Sequence, residues 1–160
     1  NAELTQTLVE LDRLTERYER CGLSDRGPWT NQTLSFTRAL GDMLMLAKVI
    51  ARGALLRDEC RGAHYKPDFS IAPPTAERPD ELREQARQWC RKYHAQNQQW
   101  LKTTLAKWTP QGAEFSYEPV ECDSIAPRPR TYGLKGAEII DEVWKAEVAG
   151  AAGQKAAAAH

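Results

Sequence analysis

The chain has 160 residues, the length of one domain or of one domain with appendages. Its 22 basic side chains balance 22 acidic ones, so nothing suggests a general affinity for nucleic acid or anionic lipid. No apolar run reaches the roughly 18 residues that would span a bilayer, and no signal peptide is visible. The four cysteines form no Cys-x-x-Cys pair, which argues against a zinc or redox motif and favours reduced thiols in the cytosol.

Periodic apolar residues predict the first two helices. Residues 4–21 form an amphipathic pattern, with Asn1 as a candidate cap and Gly22 as the stop. Residues 30–60 are apolar almost all round, which is typical of a helix buried between other elements. This interpretation makes Met43 and Met45 core-filling residues.

Two glycines within the second helix, Gly41 and Gly53, predict close packing against a neighbouring element. Prolines then interrupt residues 61–79, and a third, polar helix is expected from about Asp80, with Pro79 in its first turn.

The remaining segments predict a hairpin and a short helix. Alternating residues at about 102–120, around a turn at 109–112, favour two antiparallel strands. We predict an extended conformation for residues 121–133 and a short amphipathic helix for residues 138–148, followed by a frayed Ala/Gly tail. The predicted fold is mainly α, an antiparallel three-helix bundle (spectrin-repeat-like) with a small appended β-hairpin.

Polar residues cluster after the second helix. There His64 could act as a general acid or base. No nucleophile is placed beside it, so we favour a polar turn in which Arg61 and His64 bond the free carbonyls of the helix end. The cluster comprises Arg57, Asp58, Glu59, Arg61, His64, Tyr65, Lys66 and Asp68.

Two tryptophans raise a different possibility. Trp29 lies in a predicted loop and Trp144 on the terminal helix, so each marks either a docking surface or a contact with the chain's own hairpin.

We expect no metal site, and the sequence contains no glycine-rich loop that would bind the phosphates of a nucleotide.

The stretch 52–69 resembles the most recognisable part of the C-terminal region of succinate dehydrogenase and fumarate reductase flavoprotein subunits. That family typically shows Glu-Ser-Arg-Gly-Ala-His there, and this chain reads Glu59-Cys60-Arg61-Gly62-Ala63-His64. Similar segments follow in the family's order over about residues 3–133. They are residues 29–32, 100–106, 115–120 and 127–132.

Two departures from the family pattern are a longer linker over residues 72–98 and the tail after Tyr132. L-aspartate oxidase shares this domain but typically has Arg-Gly-Leu-His, where this chain has Ala63.

The resemblance implies a helical domain at about residues 1–133 that packs against an FAD-binding domain, with a terminal helix and Ala-rich tail at 134–160. The whole subunit would interconvert succinate and fumarate with FAD and pass electrons to an iron–sulfur subunit held at the inner face of the membrane by an anchor. The chain itself would not insert into the membrane. No catalytic, cofactor or metal residue carries over to this chain, so it would not be active alone, and its start at Asn1 suggests a piece of a longer protein.

We therefore expect a docking role for a set of polar residues in two of the matched segments. The alternatives are the C-terminal domain of L-aspartate oxidase and a stand-alone helical protein-interaction module. The candidate interdomain docking residues are Arg61, Gly62, His64, Tyr65, Arg128 and Arg130.

Overall fold

A computed structural model describes residues 1–122 and 127–158, with side chains up to residue 148. It confirms a mainly α fold with one small antiparallel hairpin. Part of the segment predicted to be extended, residues 123–126, lies outside the described residues. The elements are α1 (Ala2–Glu19), α2 (Gln32–Leu56), a 3-10 turn (Pro67–Phe69), α3 (Pro79–Trp100), β1 (Lys102–Thr109), β2 (Gly112–Pro119) and α4 (Ala137–Ala158).

The chain divides into two compact units where the sequence predicted one bundle. The first unit contains residues 1–58 and 104–117, and the second contains residues 59–103 and the chain from residue 118 onward. The four helices therefore pack as two pairs, α1 with α2 and α3 with α4.

Contacts between α1 and α2 show that these helices are antiparallel. Tyr18, near the end of α1, lies against Gly41. Asp12, earlier on α1, forms an ion pair at 2.8 Å with Lys48, which lies later on α2. A Cβ at Gly41 would lie only 2.6 Å from the Tyr18 hydroxyl, and one at Gly53 would lie 3.2 Å from the Phe115 ring. The prediction that these glycines permit close packing is confirmed.

The starts of the first two helices differ in how they are capped. Asn31 caps α2, since its side-chain oxygen accepts a hydrogen bond from the Leu34 N–H at 2.9 Å. Asn1 occupies the same position before α1, but its side chain makes no capping bond and donates to Asp58 at 3.3 Å. The predicted cap position at Asn1 is therefore confirmed, although its side chain makes no capping hydrogen bond.

The expected burial of α2 is also wrong. Ala51 is the buried residue of this helix, while Met43 is 64% and Met45 52% exposed, so neither methionine fills a core. The physical reason is that α1 packs beside Gly41 and the hairpin residue Phe115 lies beside Gly53, and these neighbours leave both methionines more than half exposed.

The core of the second unit lies between α3 and α4. Leu82 contacts Gly136, and further along both helices the rings of Tyr93 and Trp144 meet with centroids 5.8 Å apart. Because the contacts advance together, α3 and α4 run in the same direction. The buried cluster comprises Leu82, Ala86, Trp89, Cys90, Ile140, Val143 and Trp144.

The terminal helix is longer than predicted. Instead of ending near residue 148, α4 continues to Ala158. Alanine has the highest intrinsic helix propensity, so an Ala-rich stretch extends a helix that is already nucleated. No described helix is both long enough and apolar enough to cross a membrane.

The hairpin agrees with its predicted span and turn. Strands β1 and β2 pair across Pro110 and Gln111, and the Thr109 hydroxyl donates to the Gly112 carbonyl at 2.6 Å. Gly112 has a φ of +116°, a conformation that side chains disfavour, which explains the glycine at this position.

The burial of Cys90 leads to a reactivity prediction. Removal from water raises the pKa of its thiol to about 11, so at about pH 8 it stays protonated and is a poor nucleophile. Iodoacetamide should therefore modify the exposed Cys21 and leave Cys90 intact until the protein is unfolded. Peptide mass spectrometry checks this, and modification of Cys90 as fast as Cys21 in the native protein would contradict the described core.

Candidate functional site

The candidate site begins as a tight turn at residues 61–64. The Arg61 N–H donates to the His64 carbonyl at 2.9 Å, and the His64 N–H donates to the Arg61 carbonyl at 3.0 Å. Gly62 has a φ of +59°, and Ala63 does not share this positive value. A positive φ at the first central residue alone is the pattern of a type II′ turn, which favours glycine there.

The Arg61 side chain joins this turn to α3. Its Nε donates to Glu59 Oε2 at 2.8 Å, its Nη2 donates to Asn97 Oδ1 at 2.6 Å, and its Nη1 lies 3.4 Å from the Tyr93 hydroxyl. Tyr93 and Asn97 are four residues apart on α3 and so share one helix face. The guanidinium also lies 5.5 Å from the centroid of the Tyr93 ring.

Electrostatics keep Arg61 charged in this setting. Burial alone would lower the pKa of its guanidinium, but the hydrogen bond and negative charge of Glu59, with a smaller contribution from Tyr93, outweigh burial and raise the pKa. Glu59 is fully buried and forms an ion pair with Arg61 inside the second unit.

The predicted role of Arg61 at the helix end is therefore wrong, because its side chain bonds three other side chains and not the carbonyls of α2. Tyr93 and Asn97 were missed as partners, since each lies more than 30 residues further along the chain.

The other candidate docking residues differ in exposure. Gly62 is exposed, Tyr65 is 77% exposed and His64 is half-buried. Exposed Arg128 pairs with Asp141 at 3.5 Å, and exposed Arg130 donates to the Tyr132 hydroxyl at 3.2 Å.

A second group of polar and aromatic side chains lies inside the unit. Trp144 stacks on His94, with ring centroids 4.8 Å apart and an angle of 11° between the planes. Trp144 therefore packs on α3, neither on the hairpin nor at a docking surface, whereas Trp29 is 86% exposed. Cys90 stands one helical turn before His94, a spacing that could suit a metal, but no third ligand side chain is grouped with them among the described residues.

The described residues lack the kind of fold that binds a dinucleotide such as FAD. Dinucleotides bind at the carboxyl ends of a parallel sheet, where a glycine-rich turn leads into a helix. Within residues 1–122 and 127–158 the hairpin is the one sheet, and its strands are antiparallel. A flavin therefore has no binding site of this kind in the described residues.

The conformation of Gly62 leads to a stability prediction. Replacing Gly62 with alanine should lower the free energy of unfolding by about 1–2 kcal/mol, because an L-residue is strained at this φ although no atom lies within 4 Å of the added methyl group. Gly22→Ala is the matched control, since that position is also open and has no positive φ, and it should be near neutral. Equal effects in urea unfolding would contradict the turn geometry.

These features define a mainly helical domain with an internally braced polar turn and no dinucleotide-binding fold in its described residues. A profile of the family described as "Fumarate reductase flavoprotein C-term" matches residues 1–132. The chain belongs to this family, the C-terminal domain of succinate dehydrogenase and fumarate reductase flavoprotein subunits.

Individual relatives agree with this assignment. The chain is similar to the succinate dehydrogenase flavoprotein subunit of Bacillus subtilis, with 37% identity over 137 residues, which is 84% of this chain and 20% of that protein. It is also similar to fumarate reductase flavoprotein subunits of Serratia, at 31% identity, and of Escherichia coli, at 29% identity. Each of those matches covers 81% of this chain and 18% of the relative.

The chain thus spans about a fifth of the length of these relatives. No solved structure matches it.

Proposed function

We propose that this chain acts as the docking domain of an FAD-dependent flavoprotein subunit that interconverts succinate and fumarate. The match across residues 1–132 to a C-terminal domain of such subunits carries this proposal. The flavin and dicarboxylate sites would lie in the remainder of the subunit, because the described residues contain no dinucleotide-binding fold.

The docking role rests on the turn at residues 61–64, which the Arg61 side chain connects to α3. Glu59, Tyr93 and Asn97 hold Arg61 from inside the unit, which fixes the backbone that presents Tyr65 at the surface. Arg61 is therefore a positioning residue in this proposal. A rigid turn with an exposed aromatic side chain loses little conformational entropy when it binds a neighbouring domain.

The wider setting is part of the same proposal. The subunit would pass electrons to an iron–sulfur subunit at the inner face of the membrane, anchored there by other chains of the complex. The terminal helix and tail at 134–160 would be an addition to the family domain, because the family match ends at residue 132.

The two alternatives have less support. The chain has Ala63 where L-aspartate oxidase typically has leucine, and the similar relatives are named succinate dehydrogenase or fumarate reductase. A stand-alone interaction module would not be expected to match a fifth of a much longer flavoprotein over 84% of its own length.

A spectrum of the full-length subunit tests the enzymatic part. We expect bound flavin whose absorption succinate bleaches and fumarate restores. Bleaching by L-aspartate but not by succinate would overturn the proposal in favour of L-aspartate oxidase. A full-length polypeptide without flavin would favour the interaction module.

The docking role makes its own prediction. Tyr65→Ser should lower the melting temperature of the full-length subunit, because it removes an aromatic contact with the neighbouring domain. Trp108→Ser is the control, since Trp108 is a similarly exposed aromatic residue on the hairpin, at 67%. Thermal unfolding followed by flavin fluorescence measures both, and equal small effects would contradict docking through this turn.

A further inference from the structure

The terminal helix α4 lies outside the part of the chain that matches the family. The family match ends at residue 132, whereas α4 begins at Ala137. Even so, this helix supplies Ile140, Val143 and Trp144 to the buried core of the second unit. Terminal segments of a domain are ordered only where contacts hold them, so the contacts of α4 indicate what the added helix does.

The partner of α4 in this core is a segment that also departs from the family pattern. The other members of the buried cluster all belong to α3 and lie within residues 72–98, where the chain has a longer linker than the family pattern. The two departures therefore bury each other's apolar side chains. The α3 members are Leu82, Ala86, Trp89 and Cys90.

One contact of α4 leads to the turn at residues 61–64. Trp144 meets the ring of Tyr93 edge-on, with centroids 5.8 Å apart. Tyr93 in turn lies against Arg61, with its ring centroid 5.5 Å from the guanidinium carbon and its hydroxyl 3.4 Å from Nη1. A side chain packed in a dense core has few alternative rotamers, so Trp144 fixes the tyrosine that Arg61 contacts.

A second contact of α4 holds the end of the family-matched segment. The Thr131 hydroxyl donates to Asp141 Oδ1 at 3.0 Å, and Arg128 Nη1 lies 3.5 Å from the same oxygen. Thr131 is 7% exposed, although its neighbours Arg130 and Tyr132 are exposed. A partly exposed ion pair contributes little to stability, so the hydrogen bond to the buried threonine is the main contact.

We propose that α4 is a clamp that holds the two candidate docking segments of the second unit, residues 61–64 and 127–132, in one fixed arrangement. Trp144 acts on the first segment through Tyr93, and Asp141 acts on the second segment directly. Both are positioning residues, and they lie three residues apart on one side of the helix. A surface that is fixed before binding loses less conformational entropy when it docks. This inference rests on the proposed function and gives the added helix a role in it.

Hydrogen exchange in the flavin-loaded, full-length subunit tests the clamp at Asp141. Asp141→Ala should speed amide exchange in peptides that cover residues 127–134 by at least about tenfold, because the segment opens more often without its anchor. The Leu134 N–H, which donates to the Thr131 carbonyl at 3.1 Å, is one reporter. Peptides from α1 and α2 should exchange at unchanged rates, which separates local opening from global unfolding.

Glu142→Ala is the matched control, because it removes the neighbouring carboxylate of the same helix. The Glu142 side chain is 70% exposed and lies 3.9 Å from Arg83, so its loss should leave exchange at residues 127–134 unchanged. Asp141→Asn keeps an oxygen that can accept the Thr131 hydroxyl, and it should restore most of the protection. Exchange as fast as in Asp141→Ala would contradict the assignment of the clamp to this hydrogen bond.

The temperature at which the subunit releases its flavin distinguishes docking from local folding. Asp141→Ala should lower this temperature by at least about 2 °C, and Glu142→Ala should not change it. Unchanged exchange in Asp141→Ala would overturn the inference. Faster exchange with an unchanged release temperature would also overturn it, because Asp141 would then support only the local fold. A subunit whose bound flavin succinate does not bleach contradicts the proposed function instead, since neither measurement of the clamp uses the substrate.

Discussion

Replacing Arg61 with methionine should lower the free energy of unfolding by about 3 kcal/mol, one of the two largest effects expected in this chain. The substitution keeps a long apolar side chain but leaves the fully buried Glu59 without the guanidinium that faces it at 2.8 Å. It also removes the donor to Asn97. Urea unfolding of the purified protein measures the change.

Arg130→Met is the matched control for that prediction. Arg130 also contacts a tyrosine, with its guanidinium 5.6 Å from the Tyr132 ring, but it is exposed. Its replacement should change stability by no more than about 0.5 kcal/mol. If both substitutions lower the free energy of unfolding by the same amount, the Glu59–Arg61 pair does not stabilise the turn.

Replacing Trp144 with alanine should lower the free energy of unfolding by about 3–5 kcal/mol, because it removes a buried indole from between α3 and α4. The indole is 6% exposed and is stacked on His94, with Tyr93 meeting it edge-on. Denaturant unfolding and near-ultraviolet circular dichroism both report this loss.

Trp29→Ala separates burial from residue type. Trp29 is 86% exposed, so its removal should change the free energy of unfolding by less than about 0.5 kcal/mol. A destabilisation by Trp29→Ala comparable to that by Trp144→Ala would mean that the described core is not where the stability lies.

The elements with strong local signals were predictable from the sequence. The spacing of apolar residues located α1, Pro79 marked the start of α3, and the turn at residues 109–112 located the hairpin. These features depend on near neighbours, so a sequence pattern contains the information that sets them.

The arrangement of the helices was less accessible. The apolar pattern of α2 runs almost all round, so it could not show which face meets α1 and which stays exposed. We predicted one helical bundle, whereas the structure has two pairs of helices. The same amphipathic patterns are compatible with either arrangement.

The candidate site was located but its internal chemistry was not. The family resemblance directed attention to Arg61 and Gly62, and local turn rules account for the glycine. The bonds from Arg61 to α3 join residues more than 30 positions apart, which no local pattern records. Whether Arg61, Gly62, His64, Tyr65, Arg128 and Arg130 contact a neighbouring domain stays a prediction.

In the function that we propose, this chain is a docking domain and the flavin chemistry lies in the rest of the subunit. Titration of the 160-residue chain with FAD, followed by flavin fluorescence and compared with the full-length subunit, tests that claim most directly. We predict no binding to the chain alone and stoichiometric flavin in the full-length subunit. Stoichiometric FAD binding by the 160-residue chain itself would contradict the account.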